Sequence, residues 1–201
     1  MFSFSIAVIL ILFPWHISIA ETDSIISKIQ TGWNDIQTMS GEFSQIDSDG
    51  NLENGKFYFL KPYQSKFVYT NKDEDIITNE TLLRVVDKKG FQIDSYAIGG
   101  NALKNLLSSN LDIEQEFIID YAIENEFNYE IQAGIKNAST SSRVILTFNK
   151  DTIELEKWEI FDELGNKTVL EFTKIKTVSY THLRAHETRE DGGCRVMGEK
   201  K

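Results

Sequence analysis

From Met39 to Lys176 the apolar residues fall on alternate positions in one short run after another, and this two-residue period constrains the fold most. The runs 41–48, 53–61, 64–71, 74–79, 82–88 and 91–96 are rich in aromatic and β-branched residues. Between them stand the turn signals Asp49-Gly50-Asn51, Lys61-Pro62, Asn71-Lys72-Asp73, Asn79-Glu80 and Lys88-Lys89-Gly90. Strands resume at 116–123, 127–136, 142–149, 152–161 and 166–176, with Asp162 to Asn166 as the last hairpin turn. Apolar parity slips from Ile153 and Leu155 to Trp158 and Ile160, which predicts a β-bulge near Glu156. Consecutive short strands pair with their sequence neighbours, so the pattern predicts an antiparallel meander in a single domain.

Two segments carry a different period. Residues 22–38 read as a helix capped by Thr22 or Asp23, with Ile25, Ile26, Ile29, Trp33 and Ile36 on one stripe. Gly32 in its middle costs about 1 kcal/mol against Ala. Trp33 reads first as a core anchor and second as a ligand contact. After Ile98-Gly99-Gly100, the run from Asn101 to Leu107 predicts a short helix capped by Asn101. Two short helices cannot cover so wide a sheet. The sheet must either close around its own side chains or leave a concave apolar surface for something else.

The termini set the limits of the domain. Residues 1–20 hold no Asp, Glu, Lys or Arg, run apolar from Ser5 to Phe13, and end in Ser18-Ile19-Ala20. This reads as a secretory signal peptide cleaved after Ala20. The mature chain would begin at Glu21 rather than at a lipid-bearing Cys. Residues 178–201 lose all apolar periodicity and resemble a translated sequencing adapter, so the domain is expected to span 21–177. Of the 21 basic and 31 acidic residues, five and four fall in 178–201 and none in 1–20, leaving 21–177 with a net charge of −11. Such a balance argues against nucleic-acid binding, which needs a basic face.

The same limits remove the usual catalytic residues. The histidines are His16, His182 and His186 and the one cysteine is Cys194, so 21–177 contains neither type. Neither a His- or Cys-dependent hydrolase nor a disulfide framework can be built there. The carboxylate pairs Asp151/Glu154 and Glu154/Glu156 read as solvated strand and turn residues. The expectation is a protein without catalytic residues, metal or cofactor.

Particular residues then carry a family likeness. Met39-Ser40-Gly41-Glu42-Phe43-Ser44-Gln45 leads into Gly55-Lys56-Phe57-Tyr58-Phe59-Leu60-Lys61-Pro62, followed by Lys66-Phe67-Val68-Tyr69. Leu155-Glu156-Lys157-Trp158 comes later, with Asp162, Gly165, Thr168 and Phe172. Their order and separation resemble the LolA family of periplasmic lipoprotein carriers, in its alphaproteobacterial form. The resemblance implies an α+β fold, mainly antiparallel β: an unclosed half β-barrel of about eleven strands with a helical lid. It also implies a monomeric periplasmic chaperone. Such a protein takes acylated lipoproteins from an inner-membrane ABC transporter and hands them to an outer-membrane receptor. A related half-barrel that binds a lipid, a glycolipid or a stress-signal peptide is the alternative.

Laid on this chain, the resemblance puts Phe57, Phe59, Phe67 and Tyr69 on the concave face and Leu103, Leu106 and Leu107 under the lid. With Trp33 they form the expected lipid-binding set, each also readable as ordinary core. The family fastens its lid through a basic residue before the Pro, and that position is Lys61, which lacks the planar fork of an Arg. A strand-end Lys in solvent is the other reading. The lid helix begins Asn101-Ala102-Leu103, where the family has Thr-Pro-Leu.

Overall fold

Each amphipathic run becomes one strand of a single antiparallel sheet in a computed structural model that describes residues 19–98, 101–136 and 142–179. The first half of the chain gives β1 (Ile36–Ile46), β2 (Leu52–Leu60), β3 (Gln64–Tyr69), β4 (Glu74–Thr78), β5 (Leu82–Asp87) and β6 (Gln92–Ala97). The second half gives β7 (Phe117–Glu124), β8 (Asn128–Ile135), β9 (Arg143–Asn149), β10 (Leu155–Phe161) and β11 (Lys167–Ser179). Their spatial order is β6-β5-β4-β3-β2-β1-β11-β10-β9-β8-β7. Two meanders therefore meet where the first strand pairs with the last, and β6 and β7 remain as free edges. The sheet is the unclosed half-barrel of eleven strands.

This topology forces a crossing. The chain leaves β6 at one edge and must reach β7 at the other, and residues 101–116 of that connection lie over the concave face. They carry α2 (Ala102–Leu106) and α3 (Ile113–Glu116). Asn101 caps α2 by accepting from Leu103 N at 2.8 Å. The sequence pattern left α3 unannounced, although Asp112 caps it and exchanges a side-chain bond with Gln115.

The first helix, α1, runs Ile19–Asp35 rather than 22–38. Ile36 is buried as the first residue of β1, not as the end of the helical stripe. The start of α1 spans the expected cleavage point after Ala20, while residues 1–18 lie outside the described part. β11 also runs two residues past the expected domain end: Val178 and Ser179 pair with Thr38 and Ile36. β11 lies in the middle of the sheet between β1 and β10. No helix among the described residues is long and apolar enough to cross a membrane.

The core is an aromatic layer on the concave face of β1, β2, β3 and β11. Phe57 stacks edge-on against Phe172 at 4.8 Å between ring centroids, and Phe43 meets Phe67 and Tyr69 at 5.3 and 5.2 Å. Gly55 stands directly across from Phe43, where a Cβ would reach 2.1 Å from Val68 O and 2.7 Å from the Phe43 ring. On the far side of the sheet pair, the predicted bulge is present: the β9–β10 register slips between Leu155 and Lys157, at Glu156.

Gly32 also finds its reason here. A Cβ on it would lie 2.6 Å from Ile153 Cγ1 and 3.0 Å from Ile153 Cβ. Ile153 holds φ at 57° and is β-branched, so it cannot swing away cheaply. Helix propensity alone would make Gly32→Ala stabilising by about 1 kcal/mol. The close contact reverses the sign, and the substitution should instead cost about 1–3 kcal/mol in urea unfolding. Gly32→Ala combined with Ile153→Ala should recover part of that loss; a more stable single variant would refute the steric account.

Candidate functional site

The crossing segment is held down by α1, one hydrogen bond at a time. Trp33 Nε1 donates to Leu106 O at 2.7 Å, and the Tyr63 amide donates to Leu107 O at 2.6 Å. One turn away, Asn34 both donates to Leu111 O (2.9 Å) and accepts from Leu111 N (2.8 Å). Gln30 Oε1 accepts from Ile113 N at 2.9 Å. Gln30, Trp33 and Asn34 share one helix face by their spacing. Trp33 thereby satisfies a carbonyl at the C-terminal end of α2, while Asn34 and Gln30 satisfy backbone groups of Leu111 and Ile113 on the way into α3.

Beneath this layer lies Lys61, and it is not a solvated strand-end residue: only 4% of its surface is exposed. Its ammonium donates to Trp33 O and sits 4.7 Å from the centroid of the Trp33 ring. Gln37 Nε2 in turn donates to Lys61 O at 2.6 Å. Lys61 therefore contacts α1 at Trp33 O, and Trp33 contacts α2 at Leu106 O, so the two contacts are linked through Trp33. Burial pushes the Lys61 ammonium down to about 7, opposed only by the nearby charge of Asp35.

Between α2 and the sheet remains a cavity of about 510 Å³. Of the expected lipid-binding residues, Phe67, Tyr69 and Leu103 line it. Trp33, Phe57, Phe59, Leu106 and Leu107 do not; they are packed into the adjoining core, Trp33 against Phe148 at 5.7 Å. The opposite wall comes from the second meander through Val144, Trp158, Ile160 and Leu170. The sequence marked these as core positions and gave no sign that they border a space. Polar groups interrupt the wall at Gln45, Thr78 and Thr168. Tyr69 Oη donates to Gln45 Oε1 at 2.8 Å, and Thr78 bonds Ser65 at 2.7 Å. Trp158 Nε1 is buried without a partner among the described residues. Those residues also hold no cluster of His, Cys, Asp and Glu able to bind a metal.

A half-barrel with a helix-roofed apolar cavity matches one family. The family model described as outer membrane lipoprotein carrier protein LolA matches residues 34–182. The chain belongs to the LolA family. Members of that family are carriers or binding proteins rather than enzymes, and they are periplasmic. An uncharacterized protein of Rickettsia prowazekii (strain Madrid E) is 28% identical over 162 residues, covering 79% of this chain and 74% of that protein. Among solved structures, a LolA superfamily protein from Nitrosomonas europaea covers 77% of this chain and 94% of its own, at TM-score 0.38 and 10% identity. MucB in complex with MucA matches at TM-score 0.43 and 10% identity, covering 78% of this chain. This chain spans 56% of that MucB chain's length.

The Lys61 latch predicts a pH dependence with a definite sign. Its folded value lies below the ordinary lysine range, so the unfolded chain binds more protons at pH above about 7. The cost of burying the ammonium is fully present below pH 7 and is relieved as pH rises from 7 towards 10.5. Stability relative to a Lys61→Met variant should therefore increase over that window, as measured by urea unfolding at successive pH values. Parallel curves for the two proteins would show that the ammonium is not buried as described.

Proposed function

We propose that this chain is an exported carrier that shields the acyl chains of lipoproteins in the cavity beneath α2 during their passage between membranes. The observation that supports it most is the cavity itself: a space between α2 and the sheet, partly open to solvent, whose wall is largely apolar. Proteins fill their cores to crystal-like density, and an unfilled space of this size costs stability unless a ligand or function compensates. Each acyl methylene buried there contributes about 0.8 kcal/mol.

Size bears on how the carrier works. A methylene takes up close to the volume of a water molecule in the liquid, about 30 Å³, so 510 Å³ admits roughly 17 such groups. That is one long acyl chain. A cargo with three chains needs α2 to lift from the sheet, and the bonds that must break are those from Trp33 and Tyr63 to the end of α2. Lid and lipid compete for the same apolar surface, which keeps binding reversible. The partners on this reading are acylated lipoproteins, an inner-membrane ABC transporter that releases them and an outer-membrane receptor that takes them.

Phe67 borders the cavity from β3, so Phe67→Glu should abolish uptake of a triacylated lipoprotein in a reconstituted transfer assay. Transfer at the wild-type rate by a folded variant would overturn the carrier reading. Trp33→Phe keeps a ring beside Phe148 but cannot donate to Leu106 O. It should load lipoprotein several-fold faster in the same assay, and unchanged loading would remove Trp33 from the lid.

A further inference from the structure

An acyl chain enters a cavity with its carbonyl end attached to something, and the wall of this cavity discriminates what that can be. None of the side chains lining it is charged. Burying a carboxylate away from water without a cation costs several kcal/mol, so a free fatty acid would arrive with no counter-charge to meet it. A carboxylate beside the wall makes matters worse. Glu53 lies directly across from Gln45 in the β1–β2 register and so shares its face. Lys72 reaches Glu53 Oε1 at 3.4 Å, yet Glu53 Oε2 is shielded from solvent with no partner among the described residues. The Tyr69 hydroxyl, pushed up to about 12 by burial and then by the charge of Glu53, reports that negative field at the cavity wall.

A neutral carbonyl meets a different surface. Tyr69 Oη occupies Gln45 Oε1, which leaves the Gln45 amide with its N–H donors facing outward from that bond. No group among the described residues accepts from them. The Thr168 hydroxyl lies on the same wall: Thr168 stands two residues before Leu170, which pairs with Gln45 across β1 and β11. These neutral donors, with the unpartnered Trp158 Nε1 on the same wall and no charged lining side chain, suit an ester or amide oxygen, an acceptor that carries no charge.

We propose that this cavity selects acyl chains whose carbonyl end is an ester or an amide and rejects free fatty acids, with the Gln45 amide as the group that binds the carbonyl oxygen. The inference rests on the cavity being an acyl site, and the experiment separates the two. The neutral fluorophore N-phenyl-1-naphthylamine is bound to the full-length chain at pH 7.5 and displaced, below micellar concentrations, by monopalmitoylglycerol or by palmitate. The ester is expected to displace it at least tenfold more tightly than palmitate. Gln45→Leu should weaken the ester several-fold while leaving palmitate unchanged, and Gln45→Lys should supply the missing cation and bring palmitate to or past the ester. Equal or tighter binding of palmitate by the unaltered chain overturns the selectivity and leaves the carrier reading standing. Unchanged ester binding by a folded Gln45→Leu variant removes Gln45 from carbonyl recognition. If neither the fluorophore nor the ester binds, both readings fall.

Discussion

Pairing of β1 with β11 is the contact on which the rest of this structure depends. It joins Ile36–Ile46 to Lys167–Ser179 across more than a hundred intervening residues and turns two local meanders into one sheet. Local hairpins close cheaply, whereas this junction must offset the entropy of the longest loop in the domain. Its geometry accommodates two irregularities, register slips between Ile36 and Thr38 and between Ser40 and Glu42, and at the second Gly41 leaves room for Thr173 O and the Phe57 ring. Once β11 is seated on β1, β6 and β7 become the outer edges. The connection between them has no route except over the concave face.

What covers that face is weak on its own. Helices of five and four residues are far below the length at which a helix persists unaided. The position of α2 is therefore set by tertiary bonds from Trp33 and Tyr63, and the position of Trp33 by Lys61. A lid held this way can be released without disturbing the sheet. The Lys61 ammonium contacts Trp33 O, and burial brings its proton within reach of ordinary pH.

The cavity is the part of the core that this lid spans without filling. Away from the cavity the aromatic rings of β1, β2 and β11 pack against one another, Phe57 4.8 Å from Phe172 between centroids. Towards Asn101 and Leu103 the roof stands off the sheet, and Phe67 on one side faces Trp158 and Leu170 on the other. Polar groups at Gln45, Thr78 and Thr168 give that space an orientation, with hydrogen-bonding capacity on its wall and apolar surface elsewhere.

Read from the sequence alone, the strands, the helix before them, the Asn101 cap and the bulge at Glu156 were all legible, because each is written in local periodicity or a local capping residue. The absence of His and Cys between residues 21 and 177 was likewise a matter of counting. The four-residue α3 escaped, since one capping residue is too faint a signal without apolar period. Tertiary structure alone decided the rest. Lys61 reads either as a lid latch or as a solvated strand-end residue, and its burial is decided only by the packing of α1 over the turn after β2. Phe57 and Phe67 read identically, as alternate apolar positions on neighbouring strands. One is sealed against Phe59 and Phe172, and the other borders the cavity under the start of α2. Sequence determined which faces are apolar; where those faces meet, and where they fail to meet, depends on contacts between residues far apart in the chain.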